Sequence, residues 1–221
     1  MARVNSGQAG RSPRQLPRGR HGLSREDIAA SQRGRLIEAV LHVVAAKGYP
    51  DATVNDLVVR AEVSRRTFYE HFDDKQACFL AAFDAAVAEV SSSLRDALDP
   101  VAKHDWASRI RLSWRAFLAA LAGHPDAAWS LYIETLRAGP ELARRTSAVN
   151  AAFAGIFRTL HDRARAADPA VREVAPQTFD LYIGGTAERI RHRLYTAGAP
   201  GLPDLEGMFT DTALILFETR R

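Results

Sequence analysis

The sequence predicts an all-α chain, and three observations carry that prediction. Apolar residues recur at helical spacing, beginning with Leu36, Ile37, Val40, Leu41, Val43 and Val44. No segment of useful length alternates with the period of a strand. Residues 53–79 read TVNDLVVRAEVSRRTFYEHFDDKQACF, two short helical stretches flanking a turn. That pattern is a helix-turn-helix, the unit that lays its second helix in the major groove of duplex DNA.

Taken in order, residues 1–30 are rich in Arg, Gly, Pro, Ser and Gln and have almost nothing to bury, so a disordered basic arm is expected there. Met1 to Arg35 holds eight Arg against Glu26 and Asp27. Such an arm suits a path along phosphates or into an adjacent minor groove; the plain alternative is a solvated tail. Regular structure is expected from about Ser31. The first helix should end at Lys47-Gly48, where glycine supplies the cap, and Pro50 cannot continue it. Thr53 is placed as the N-cap of the second helix, with Asp56 three residues on in a capping-box arrangement. Val54, Leu57, Val58 and Ala61 form its apolar stripe, and Glu62-Val63-Ser64 is a tight turn.

Ser64 should cap the third helix, Arg65 to Phe72. At roughly 100° per residue, Phe68 and Phe72 fall on one side to pack inward, and Arg66 and Glu70 fall opposite, with Thr67 and Tyr69 on the flanks. Arginine is the commonest bidentate reader of guanine, and glutamate can accept from the cytosine amino group. Asp73-Asp74-Lys75 then opens a fourth helix that reaches about Leu98, before Asp99-Pro100. Free N–H groups at its start attract phosphate, and Lys75 adds a full charge beside them.

Leu36 to Phe83 resembles the TetR family of bacterial transcriptional regulators. The resemblance is carried by AAKGYPDATVNDL (Ala45–Leu57), VSRRTFYEHFDDK (Val63–Lys75) and the apolar fourth helix, above all by the Phe-Tyr-x-His-Phe-x-x-Lys run at 68 to 75. It implies a three-helix DNA-binding domain at 31–78, a larger effector-binding and dimerisation domain at 79–221, and a homodimer on a palindromic operator in double-stranded DNA. It also implies phosphate contacts from Thr53, Tyr69, His71 and Lys75, and base reading by Arg65, Arg66 and Thr67. With Ser64 at the start of the reading helix, these residues are the candidate DNA-contacting set. An N-terminal arm of about 30 residues exceeds the family's minimum.

The larger domain should hold five more helices, at about Trp106–Leu121, Asp126–Leu136, Glu141–Ala166, Gln177–Tyr195 and Asp204–Phe217. The last two are candidates for a dimer bundle. Phe179, Ile183, Ile190 and Leu194 stripe one, Leu205, Met208, Phe209, Thr212 and Leu216 stripe the other, and Gly184-Gly185 would let a neighbouring backbone approach. Stripes alone do not separate a partner from the chain's own core. Trp114, Phe117, Trp129, Tyr132, Phe153 and Phe157 concentrate in the central helices, where they could line a pocket for a small apolar or aromatic effector or simply pack as core. Glu134 and His161 lie in the same region as possible polar selectors.

Charge placement supports a polyanion partner. Residues 1–80 hold 13 basic and 9 acidic side chains, and residues 81–221 hold 17 of each. The single cysteine, Cys78, excludes an intrachain disulfide and a cysteine metal cluster; beside Phe79 it is expected to be a buried thiol, and Lys75 one turn away keeps a redox role in view. No run approaches the roughly 18 apolar residues of a membrane span, so a cytoplasmic protein is expected. GxGxxG, GxSxG, HExxH and phosphate-loop patterns are absent, and the seven His are scattered, so neither enzyme activity nor a metal or other cofactor is expected. Three functions remain to be separated: a transcriptional regulator, as a repressor released by an effector; a ligand-free architectural or partner-controlled DNA-binding protein; and an enzyme or carrier that keeps only the helix-turn-helix shape.

Overall fold

A computed structural model describes residues 24–98 and 106–217. Among them the chain is all-helical. Helices α1 (Arg25–Lys47), α2 (Val54–Ala61) and α3 (Arg65–His71) form an N-terminal unit. Helix α4 (Lys75–Leu98) leads into α5 (Trp106–Gly123), α6 (Pro125–Tyr132), α7 (Pro140–Ala167), α8 (Pro176–Ala197) and α9 (Glu206–Phe217). Short 3-10 turns at Glu134–Arg137 and Ala199–Leu205 follow α6 and α8.

Helix α1 starts six residues before the expected Ser31. Ser24 caps it: Asp27 N–H donates to Ser24 Oγ at 3.0 Å, and Ser24 N–H donates back to Asp27 Oδ2 at 3.1 Å. The first two turns carry one large apolar residue, Ile28, which is exposed, so apolar periodicity alone could not find them. The expected arm therefore shortens; its residues 1–23 lie outside the described residues.

Helix α1 buries Leu36, Ala39, Val40, Val43 and Val44 and ends where Gly48 takes φ +84°. Thr53 caps α2 as expected, in a full capping box with Asp56. The Lys47 ammonium donates to Asp56 Oδ1 at 2.6 Å. That bond first, and then the Thr53 hydroxyl and N–H, hold the Asp56 carboxyl down at about 2. A carboxyl depressed in the fold stabilises it above the ordinary carboxylate range and loses that contribution as pH falls through its folded value. The stability difference between wild type and Asp56→Asn is therefore expected to shrink between about pH 4 and about pH 2, followed by circular dichroism; a difference constant over that range would contradict the pairing.

Two cores result. The first joins α1–α3 to Cys78, Phe79, Ala82 and Phe83 of α4, and to Ala138 and Leu142 from the far half of the chain. The second lies among α5–α9, around Trp114, Leu118, Phe157, Phe179, Ile190 and Phe209. Helix α4 thus belongs to both halves. By length and composition α4 could cross a membrane, contrary to the expectation that no run comes near one. Its apolar residues are instead spent on the first core and on the cavity described below.

Cys78 is fully buried, with its Sγ 3.7 Å from the Leu36 carbonyl. Burial pushes the thiol up to about 12, outweighing Arg33. Lys75, one turn away, is committed elsewhere, so the conditions for a reactive thiolate are absent. The thiol is expected to resist iodoacetamide at neutral pH in the native protein and to react on unfolding; rapid native labelling would contradict the burial.

The N-terminal unit is tied to the middle of the chain at named points. Ser130 Oγ on α6 donates to the Leu41 carbonyl at 2.9 Å, and Tyr49 N–H donates to Glu134 Oε2 at 2.8 Å. Asp126 at the start of α6 pairs with His42 on α1 at 2.7 Å. Glu134 is therefore a buried strut under the α1–α2 loop, not the pocket selector the sequence suggested.

Candidate nucleic-acid interface and ligand cavity

Helix α3 is anchored from behind. Phe68 is fully buried and Phe72 nearly so, their ring centroids 6.0 Å apart. Arg33 of α1 lies over the Phe72 ring at 5.1 Å, and His71 Nε2 sits 3.3 Å from Gln32 Oε1 on the same helix. The turn before α3 places Glu62 at φ 51°, ψ 47°, a left-handed conformation that costs a non-glycine residue about 1–2 kcal/mol. Arg35 holds that turn, donating to the Ala61 carbonyl at 2.6 Å and the Glu62 carbonyl at 3.2 Å. Ser64 Oγ then accepts from Thr67 N–H at 3.0 Å and starts the helix.

The opposite face is open. The Arg66 side chain is 89% exposed, and among the described residues its one hydrogen bond is Nε donating to Glu70 Oε1 at 3.0 Å. Arg65 lies over the Tyr69 ring at 5.8 Å, and Tyr69 is exposed. Thr53, Ser64, Arg65, Arg66 and Tyr69 are exposed, while Thr67 and His71 are half-buried.

Lys75 is turned to the α1–α2 loop. Its ammonium donates to the carbonyls of Tyr49 at 2.6 Å, Ala52 at 2.7 Å and Pro50 at 3.4 Å, and lies 4.3 Å from the Tyr49 ring centre. Burial lowers its pKa, opposed by Asp51. The two short bonds hold the ammonium against the loop. Nothing local marks this: the loop carbonyls come from more than 20 residues upstream.

A cleft of two joined lobes runs between α4, α5, α6, α7 and α8. The lobes hold about 630 and 510 Å³, mouths included. Phe117, Tyr132 and Phe153 line both, and Trp114 and Phe157 line the second. Trp129, expected among them, packs instead edge-on against Tyr195 at 5.2 Å. His161 is buried between the Phe179 and Phe217 rings, away from the cleft. The sequence reading missed the α4 wall, Phe83, Val87, Val90 and Leu94, although its helical spacing was visible, and it missed Asn150 and Arg191.

The expected dimer stripes also need correction. Phe179, Ile183, Ile190, Leu194, Leu205 and Phe209 are all buried in the chain's own core. The large apolar side chains left outside on these two helices are Leu181, 76% exposed, Tyr195, 59%, Met208, 41%, and Ile215, 78%. Leu181, Gly185, Met208, Thr212 and Leu216 border one groove along α8 and α9, and among the described residues nothing beyond the local backbone and chain neighbours lies within 4 Å of where a side chain would start on Gly184 or Gly185. Among the described residues no group of three or more His, Cys, Asp or Glu could hold a metal ion.

Comparison with known proteins agrees with this architecture. A family model described as bacterial regulatory proteins, tetR family, matches residues 36–82. The transcriptional activator FasR of Mycolicibacterium smegmatis is 33% identical over 86 residues, 39% of this chain and 38% of that protein. The regulator EthR of the same organism is 26% identical over 130 residues, 59% of this chain and 58% of that protein. These matches thus span between about two fifths and three fifths of the relatives' own lengths. Among solved structures, the fatty acid degradation regulator FadR of Bacillus halodurans superposes with a TM-score of 0.73 at 18% identity, covering 84% of this chain and 94% of that one. FadR of Bacillus subtilis, in complex with stearoyl-CoA, gives 0.69 at 17% identity, over 82% and 96%. The Phe-Tyr-x-His-Phe-x-x-Lys run lies inside the matched region, so residues 36–82 match the tetR family of bacterial regulatory proteins, and the described helices share the fold of the FadR structures.

Proposed function

We propose that the protein is a sequence-specific transcriptional repressor that binds a palindromic operator as a homodimer and is released by a small apolar effector. The observation that carries the reading is α3: its back is fixed by two buried phenylalanines while its front offers Arg65, Arg66 and Tyr69 to solvent. Arg66 and Arg65, with Thr67 beside them, are assigned to base edges; Thr53, Ser64, Tyr69 and His71 are assigned to phosphates and sugars. Lys75 is assigned to holding the α1–α2 loop, on its three carbonyl bonds.

The groove along α8 and α9 is assigned to a second copy, which would bury Leu181 and Met208 against their symmetry mates in a four-helix bundle. The cleft is assigned to the effector, for its apolar walls are contributed by five helices and one of them, α4, also completes the core behind α3. An effector that fits better in one placement of α4 than another shifts the spacing of the two reading helices, and only that difference in affinity can drive release. The cleft also favours this reading over a ligand-free architectural protein.

The test is a gel shift of the full chain on the DNA flanking its coding region. Retention of a complex with two protomers under excess unrelated duplex is expected. Equal competition by any duplex, with the steep salt dependence that phosphate contacts alone give, would overturn sequence-specific regulation.

A further inference from the structure

The polar groups in the cleft say more about its occupant than its size does. Phe117, Tyr132, Val149, Asn150, Phe153 and Ala187 are common to both lobes, so they form the waist between them. Most other polar groups on the walls are already used. Thr135 Oγ1 donates to the Leu131 carbonyl at 2.7 Å, Thr146 Oγ1 to Leu142 at 2.9 Å, Ser113 Oγ to Arg109 at 2.8 Å and Thr186 Oγ1 to Ile183 at 2.8 Å. Arg191, the one cation on the described walls, donates through Nε to the Tyr132 carbonyl at 3.1 Å and is paired with Glu188. The Tyr132 hydroxyl and the Asn150 amide are different: among the described residues neither meets a hydrogen-bond partner.

Neither group is among the polar atoms sealed from solvent without a partner, so both are free to exchange water for a ligand oxygen, and the apolar walls around them make that exchange selective. Both groups can donate, the phenol through O–H and the amide through N–H. Burial holds the Tyr132 proton well above the ordinary phenol range, against a weaker opposing effect of Arg191, so it remains a neutral donor. Two neutral donors at the waist call for an acceptor oxygen. A carboxylate would have to draw Arg191 away from the Tyr132 carbonyl and Glu188, whereas a neutral oxygen leaves those bonds intact. Apolar walls continue on both sides of the waist.

We propose that the cleft selects a molecule with one neutral oxygen acceptor, a ketone, ester or amide carbonyl, flanked by hydrocarbon on both sides, with Tyr132 and Asn150 donating to that oxygen. The inference rests on the cleft being the effector site, as argued above, and adds the chemistry that sets its specificity. Tyr132 was among the candidate lining residues in the sequence; Asn150 was not.

The experiment titrates the full chain calorimetrically with dibutyl ketone, with dibutyl sulfide as a near-isostere whose sulfur is a weak acceptor, and with nonanoate. The ketone is expected to bind on the order of tenfold more tightly than either, as two added hydrogen bonds imply. Tyr132→Phe and Asn150→Leu should each cut the preference over the sulfide to about threefold or less, while sulfide binding stays within about twofold, which also reports that each variant is folded. Equal binding of ketone and sulfide to the wild type overturns the proposal and leaves the cleft as an effector site. So does a preference that survives both substitutions, or nonanoate binding more tightly than the ketone. Failure of all three compounds to bind would instead remove the effector reading itself. The two substitutions report independently, so if one variant does not fold the other decides.

Discussion

Phe68→Ala is expected to destabilise the N-terminal unit by about 3–5 kcal/mol, the usual cost of truncating a fully buried phenylalanine. Phe68 has no exposed surface. Its ring meets Tyr69 edge-on at 5.3 Å and Phe72 at 6.0 Å, so its removal empties the space on which α3 rests. A small helical unit has only about 5–15 kcal/mol in total, and α3 has seven residues with little stability of its own. DNA binding should disappear. The second core is built from other residues, so the variant should unfold in two thermal steps, with the later step near the wild-type temperature. A single transition displaced by less than about 1 kcal/mol would show that Phe68 does not anchor α3.

Arg66→Ala is expected to do the reverse: leave the fold intact and cost about 1–3 kcal/mol at the cognate site, with relaxed preference at one base position. Among the described residues its guanidinium bonds to Glu70 alone, and an exposed ion pair of that kind contributes about 1 kcal/mol at most. Binding to unrelated duplex should change far less, since base contacts carry the discrimination and phosphate contacts the background affinity. Fluorescence anisotropy on cognate and unrelated duplexes separates the two. An equal loss on both would assign Arg66 to phosphate instead.

What was legible in the sequence was what local chemistry decides. Thr53 with Asp56, Ser64 before Arg65, and Gly48 after Lys47 mark helix ends through bonds within a few residues. The inward Phe68 and Phe72 and the outward Arg66 follow from the period of one helix. The start of α1 was also written locally, in Ser24 and Asp27, but an apolar-period search passes over a solvated first turn.

The contacts that the sequence does not show are those whose partners lie far along the chain. Lys75 stands at a helix start, where a phosphate role is the natural reading, yet the carbonyls it meets belong to the α1–α2 loop. Glu134 sits among pocket residues in sequence but under Tyr49 in space. On α8, one stripe could face a partner or the core, and the core took Phe179, Ile183, Ile190 and Leu194; Leu181, two positions beyond the first of them, was left outside. Asn150 carries no sequence signal at all, since its importance comes only from the lack of a partner at the waist of an apolar cleft.

The central claim is that α3, seated on two phenylalanines, reads base edges through Arg66 in each half of a symmetric dimer. Selection of bound sequences from a pool of random duplexes, run in parallel for wild type and Arg66→Ala, tests it most directly. The wild type should enrich an inverted repeat with half-sites about one helical turn apart, roughly 34–36 Å, and Arg66→Ala should lose preference at one symmetric position in each half while keeping the rest. No enriched repeat in the wild-type pool, or an identical repeat recovered with Arg66→Ala, would contradict it.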